Sequence, residues 1–179
     1  MATINSVRLY HAALAITATL AFITGEMGII HAWLGYGVAI IILLRLLWAL
    51  SGDKQVGLTR FYPSFEGLNS GNLFTHPIIS KLLMLGIIVS LMVATGTGLV
   101  MDNGKSVGMA NAQLIAPALA DDDGEENSSG ENEESPLGET HELFANLMLL
   151  FVGLHVTYLL LFKMPLARFM LFIPPSAKK

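Results

Sequence analysis

Five histidines carry most of the chemistry available to this chain: His11, His31, His76, His141 and His155. Four of them fall in or at the ends of long apolar stretches, where ionisable side chains are expensive and usually functional. His141 and His155 are 14 residues apart. On a helix that spacing is a rise of about 21 Å with a drift of roughly 40°, so the two point to the same side at two depths. His31 begins its stretch at the level of His141, and His11 begins its stretch at the level of His155. Any one of these could be an ordinary helix–helix hydrogen bond; two facing pairs at two levels point instead to a cofactor site inside a bundle. A pair of neutral imidazoles facing across an apolar core suits the two axial positions of a haem iron. With both positions filled, electron transfer is the expected job. Zinc usually takes three or four ligands, whereas each level offers two, with no acidic residue in mid-helix to complete a set. The chain has no cysteine, which excludes disulfides, thiolate zinc sites, iron–sulfur clusters and covalently attached c-type haem.

The elements that must position these histidines are legible in the composition. Of 179 residues, 53% are hydrophobic and 13% charged, with a mean hydropathy of +0.60; soluble domains carry about 25% charged residues. Four stretches, 9–25, 31–50, 82–101 and 143–162, are almost free of charge, and a membrane-spanning helix needs roughly 17–25 such residues. The runs are continuous rather than alternating, which argues for helices over a barrel. The spacing predicts helices over 7–25, 31–50, 79–101 and 141–163. The fold class expected is an all-α, integral membrane four-helix bundle, a single domain over 1–179 with both termini cytoplasmic. The connection 26–30 is a tight turn. The connection 51–81 is rich in turn formers, and 117–139 is an acidic, low-complexity tract expected to be a disordered periplasmic loop. A cleaved signal peptide is not expected, because the start is weakly basic and no small-residue cleavage site precedes Glu26.

Orientation follows from the basic residues. Arg8, Arg45, Lys54, Arg60, Lys81, Lys163, Arg168, Lys178 and Lys179 fall on the side of the termini, and Lys105 alone falls opposite. The positive-inside rule assigns the crowded side to the cytoplasm, and the expected location is a bacterial inner membrane. His11 and His155 then form an inner level, and His31 and His141 an outer level.

The run HELFANLMLLFVGLH, from His141 to His155, closely resembles the fourth helix of the bacterial cytochrome b561 family, which is grouped with the b-type cytochrome subunits of nickel–iron hydrogenases. Other family motifs have counterparts here: Arg8 and His11 of an Arg-x-x-His, Thr24, Gly25 and Glu26 of a TGE, His31, Trp33, Gly35 and Tyr36 of an H-x-W-x-G-Y, and Arg45 and Trp48 of an R-x-x-W. The resemblance spans nearly the whole chain apart from the acidic tract. Two departures stand out: His11 is followed by Ala12 where relatives often have Trp, and Thr75-His76-Pro77 replaces Gly-His-Asn-Pro. The resemblance implies two b haems, one held by His11 with His155 and one by His31 with His141.

The remaining residues have bland readings beside functional ones. Arg8, Arg45 and Lys81 suit inner haem propionates, or anchor the helices at the membrane boundary. His76 either assists quinone proton exchange or simply caps a helix or meets solvent, the second being expected. Gly35, Gly37, Gly86, Gly96, Gly98 and Gly153 admit a macrocycle or a neighbouring helix. Trp33, Tyr36 and Trp48 read mainly as interfacial aromatics. The acidic tract could attract a basic periplasmic partner, although a solvated loop is the simpler reading.

The expected function is a di-haem membrane cytochrome carrying electrons between the quinone pool and a periplasmic donor or acceptor, such as a c-type cytochrome, in contact with lipid. The alternatives are a histidine-lined metal or proton transporter, a membrane anchor whose histidines only pack, and a haem subunit docked to a hydrogenase or other dehydrogenase. Whether the chain is itself an enzyme, such as a quinone oxidoreductase, is left open by the residues. No phosphate-binding loop or dinucleotide fingerprint is present, and no nucleic-acid patch is expected.

Overall fold

In a computed structural model, residues 2–50, 76–108 and 135–173 are described. They form five helices: α1 (Ala2–Ile23), α2 (Ile29–Leu50), α3 (Pro77–Asp102), α4 (Pro136–Phe162) and the short α5 (Met164–Met170). The first four contain spans of 19 to 27 residues with mean hydropathies of 1.4, 2.0, 2.3 and 2.0, long and apolar enough to cross a bilayer. Among the described residues there is no strand. The expected segment 51–75 of the second connection, and the acidic tract as far as residue 134, lie outside the described residues.

Local chemistry sets the helix ends. Thr24 Oγ1 donates back to the carbonyls of Leu20 (2.8 Å) and Ala21 (3.2 Å) as α1 finishes. Gly28, at φ +51°, then turns the chain into α2, a left-handed conformation that favours glycine. His76 caps α3, its Nδ1 accepting from the N–H of Ile78 at 3.3 Å, with Pro77 in the first turn. The same arrangement opens α4: Ser135 Oγ accepts from Gly138 N–H at 3.1 Å, Pro136 follows, and Glu139 sits in the first turn, where a carboxylate meets the positive end of the helix dipole. Residues 136–139, expected in the acidic loop, are therefore helical.

The helices pair as two antiparallel hairpins, α1/α2 and α3/α4, with α2 packed on α3 and α5 folded back to touch both α4 and α1. The starts of α1 and α3 and the ends of α2 and α4 gather at one end, here called proximal; the opposite end is distal. Val38, Leu91 and Met148 form the buried centre, with Leu14, Ala18, Ile42 and Val152 against it. Large apolar side chains such as Ile16, Leu43, Val89 and Leu150 face outward at about half exposure. An aqueous domain would bury such side chains, whereas a bilayer solvates them.

The glycines divide into two sets. A Cβ on Gly37 would touch Thr17 at 3.5 Å, one on Gly86 would meet three ring carbons of Phe151 at 3.0 Å, and one on Gly98 would meet His141 Cε1 at 3.0 Å. These permit close helix approach. Gly35, Gly96 and Gly153 meet nothing within 4 Å, so close packing does not account for them.

Candidate functional site

At the distal end the rings of His31 and His141 face each other, with centroids 5.8 Å apart and planes at 88°. His31 comes from the first turn of α2 and His141 from the second turn of α4, so each hairpin contributes one. Two imidazoles sharing one metal in line would stand roughly 6 Å apart, given a metal–nitrogen distance of about 2.0–2.1 Å and the size of the ring.

Both rings are oriented by backbone. His31 Nδ1 lies 2.9 Å from the carbonyl of Ala21 on α1. His141 Nδ1 lies 2.8 Å from the carbonyl of Ala94 on α3 and 3.2 Å from Thr97 Oγ1. A carbonyl oxygen only accepts, so Nδ1 of each ring carries a proton, and in the neutral ring Nε2 is then the nitrogen with the lone pair. A metal-binding histidine usually donates its second ring N–H to such a carbonyl, which fixes tautomer and angle. The donor set therefore fits a haem iron. Gly98 completes the seat for His141, because any larger residue would occupy the space of the ring.

At the proximal end His155, half-buried on α4, lies within electrostatic range of His11 on α1. Its Nδ1 is buried without a hydrogen-bond partner, an arrangement that is unfavourable in an apolar setting unless another group engages the ring. Again the two members come from different hairpins. Among the described residues, no group of three His, Asp or Glu side chains comes together in a form that could hold a metal ion; the histidines meet as pairs.

The basic residues at this end have aromatic neighbours. The Arg8 guanidinium lies 4.5 Å from the ring centroid of Phe169 and 4.0 Å from that of Phe172. Its Nε is buried without a hydrogen-bond partner. Arg45 lies 5.6 Å from the Trp48 ring, which in turn lies 5.4 Å from Tyr10. Trp48 is thus half-buried against its neighbours, while Trp33 is exposed. His76 is buried rather than solvated: it caps α3, and its carbonyl accepts from Tyr158 Oη at 3.4 Å.

Several participants escaped the sequence reading. The Ala21 and Ala94 carbonyls carry no side-chain signature, and Thr97 and Gly98 resemble many other small residues of α3. Tyr36, read as interfacial, donates to Asp102 Oδ2 at 2.8 Å. Phe169 and Phe172 lie in a segment whose return toward α1 depends on the break at Lys163.

Neither the curated proteins nor the solved structures searched give a match. A family model described as prokaryotic cytochrome b561 matches residues 5–172, which takes in all four spanning helices and the four paired histidines. The chain belongs to the prokaryotic cytochrome b561 family, and is a multi-pass membrane cytochrome of b type, binding haem b and working in electron transfer.

Proposed function

We propose that this chain is a di-haem cytochrome of the bacterial inner membrane, with both termini cytoplasmic, passing electrons between the quinone pool and a periplasmic donor or acceptor. His31 and His141 would hold the outer haem, and His11 and His155 the inner one. The observation that carries this reading is the shared state of His31 and His141. Each Nδ1 is engaged by a backbone carbonyl at 2.8–2.9 Å, which leaves Nε2 of both rings as a lone-pair donor. The orphaned Nδ1 of His155 beside His11 supports a second site.

When bound, haem b supplies a one-electron iron couple. The chain's own contributions are distinct from that couple. The carbonyls of Ala21 and Ala94 fix the tautomer and the orientation of the distal imidazoles, presenting Nε2 as the ligand atom. The apolar centre around Val38, Leu91 and Met148 excludes water between the two levels. Arg8 and Arg45 place positive charge at the proximal end, suited to the inner propionates. The charge asymmetry of the sequence supports the orientation. A histidine-lined metal pathway finds less support, since the histidines gather in twos.

The deciding experiment is purification in detergent, followed by haem extraction and a reduced-minus-oxidised spectrum. Two non-covalent b haems per chain are expected. One would leave a histidine pair needing another role, and none after haem-supplemented expression would overturn the reading.

A further inference from the structure

Each histidine pair takes one member from each hairpin, so the separation of the hairpins governs the separation of the rings. The hydrogen bonds that orient His31 and His141 do not fix that separation. His31 bonds from α2 to α1, and His141 from α4 to α3, each within its own hairpin. The bond from Tyr158 to His76 likewise stays within α3/α4. Tyr36 and Asp102 differ: Tyr36 Oη on α2 donates to Asp102 Oδ2 on α3 at 2.8 Å, joining one hairpin directly to the other.

Asp102 is a fixed anchor for that bond. Ser106 Oγ donates to Oδ1, Ser106 N–H donates to Oδ2 at 3.2 Å, and the Gly104 N–H also reaches the carboxylate. The turn that brings these donors round needs left-handed backbone at Asn103 (φ 45°) and Gly104 (φ 77°). The bond also ends close to the distal site. Tyr36 lies five residues from His31 on α2, and Asp102 lies four residues, about 6 Å of helix, beyond Gly98, against which His141 packs.

We propose that Tyr36 and Asp102 are positioning residues for the outer haem, the bond between them setting the spacing and mutual angle of the His31 and His141 imidazoles. The proposal rests on the reading of those histidines as axial ligands. It is a charge-assisted bond between half-buried partners, of the stronger kind among hydrogen bonds.

The test uses the full-length protein in detergent, comparing wild type, Tyr36→Phe and Asp102→Asn by electron paramagnetic resonance, redox titration and haem dissociation. Tyr36→Phe removes one oxygen and keeps the ring. Its outer-haem low-spin signal should shift and broaden, and outer haem should dissociate about tenfold faster, as loss of a bond to a charged group implies, while the inner-haem signal is unmoved. Asp102→Asn keeps an oxygen that accepts from Tyr36 and removes the charge. It should retain the wild-type signal shape while the outer potential rises. A purely structural role would not separate shape from potential in this way. An unaltered outer signal and dissociation rate in Tyr36→Phe would overturn the proposal, as would equal loss of both haems. If Tyr36→Phe fails to accumulate, Asp102→Asn decides: a displaced signal despite its intact acceptor would count against the positioning role of the Tyr36–Asp102 bond. A wild-type protein lacking an outer haem would instead overturn the ligand assignment itself.

Discussion

The imidazole of His31 stands edge-on to that of His141, with ring planes at 88° and centroids 5.8 Å apart. Each ring is held at its Nδ1 by a different helix, so neither rotates without losing a bond to a carbonyl. Held near-perpendicular on one haem iron, as proposed, these imidazoles would leave the iron orbitals close in energy. The outer haem should therefore give a strongly anisotropic low-spin resonance spectrum with a single dominant low-field feature. A rhombic spectrum of the parallel-plane kind would show that the rings turn on loading.

Replacing either member of a pair should empty one site and spare the other. His31→Ala and His141→Ala are each expected to lower the extractable haem by about half, since each would empty one of the two proposed haem sites. His11→Ala and His155→Ala should remove the complementary half. Pyridine haemochrome assay of each purified variant, with redox titration of the remaining haem, checks this. Full occupancy in His141→Ala would refute the pairing.

Gly98 and Gly96 offer an internal comparison two residues apart. A methyl at Gly98 enters at 3.0 Å from His141 Cε1, and the ring cannot simply retreat because Ala94 holds it. Overpacking of this kind costs about 1–3 kcal/mol, so Gly98→Ala should weaken outer-haem retention roughly five- to hundredfold. Gly96→Ala enters open space and should leave haem retention unchanged. Apomyoglobin capture kinetics would measure both.

The stacking of Arg8 on Phe169 and Phe172 should hold α5 against the bundle. At exposed rings such as these each contact is worth about 0.5–1 kcal/mol, or about 1–2 kcal/mol for the pair. Arg8→Ala should therefore expose the segment around Arg168 and accelerate its tryptic cleavage roughly five- to thirtyfold. Arg8→Lys should recover little of the protection, because an ammonium cannot stack its plane on two rings. Cleavage at the wild-type rate in Arg8→Ala would mean that α5 is held by its contacts with α4 alone.

The elements were readable because membrane helices announce themselves. A continuous apolar run has few other solutions in a bilayer, and the 14-residue interval between His141 and His155 already separates two levels on one helix. Helix ends were less readable, since they depend on single capping residues: Ser135 and Pro136 start α4 five residues before His141. The orientation of the distal rings was not readable. It depends on the carbonyls of Ala21 and Ala94, which every residue possesses, and on the register of one helix against another. The same holds for Gly98 against Gly96, which are alike in sequence and opposite in surroundings. The partnership of Tyr36 with Asp102 spans 66 positions and no local pattern encodes it.

The division of the paired histidines between the two hairpins bears on how the protein is made. Translation delivers α1 and α2 first, and the bond from His31 to Ala21 can form as soon as that hairpin is inserted. His141 and His155 are both on α4, the last of the spanning helices to leave the ribosome. No histidine pair is complete before then, so the nascent chain offers lone imidazoles but no two-point grip. On the proposed ligand assignment both sites become available together, once α4 has followed the other three membrane helices, so neither can grip a haem from two sides before then.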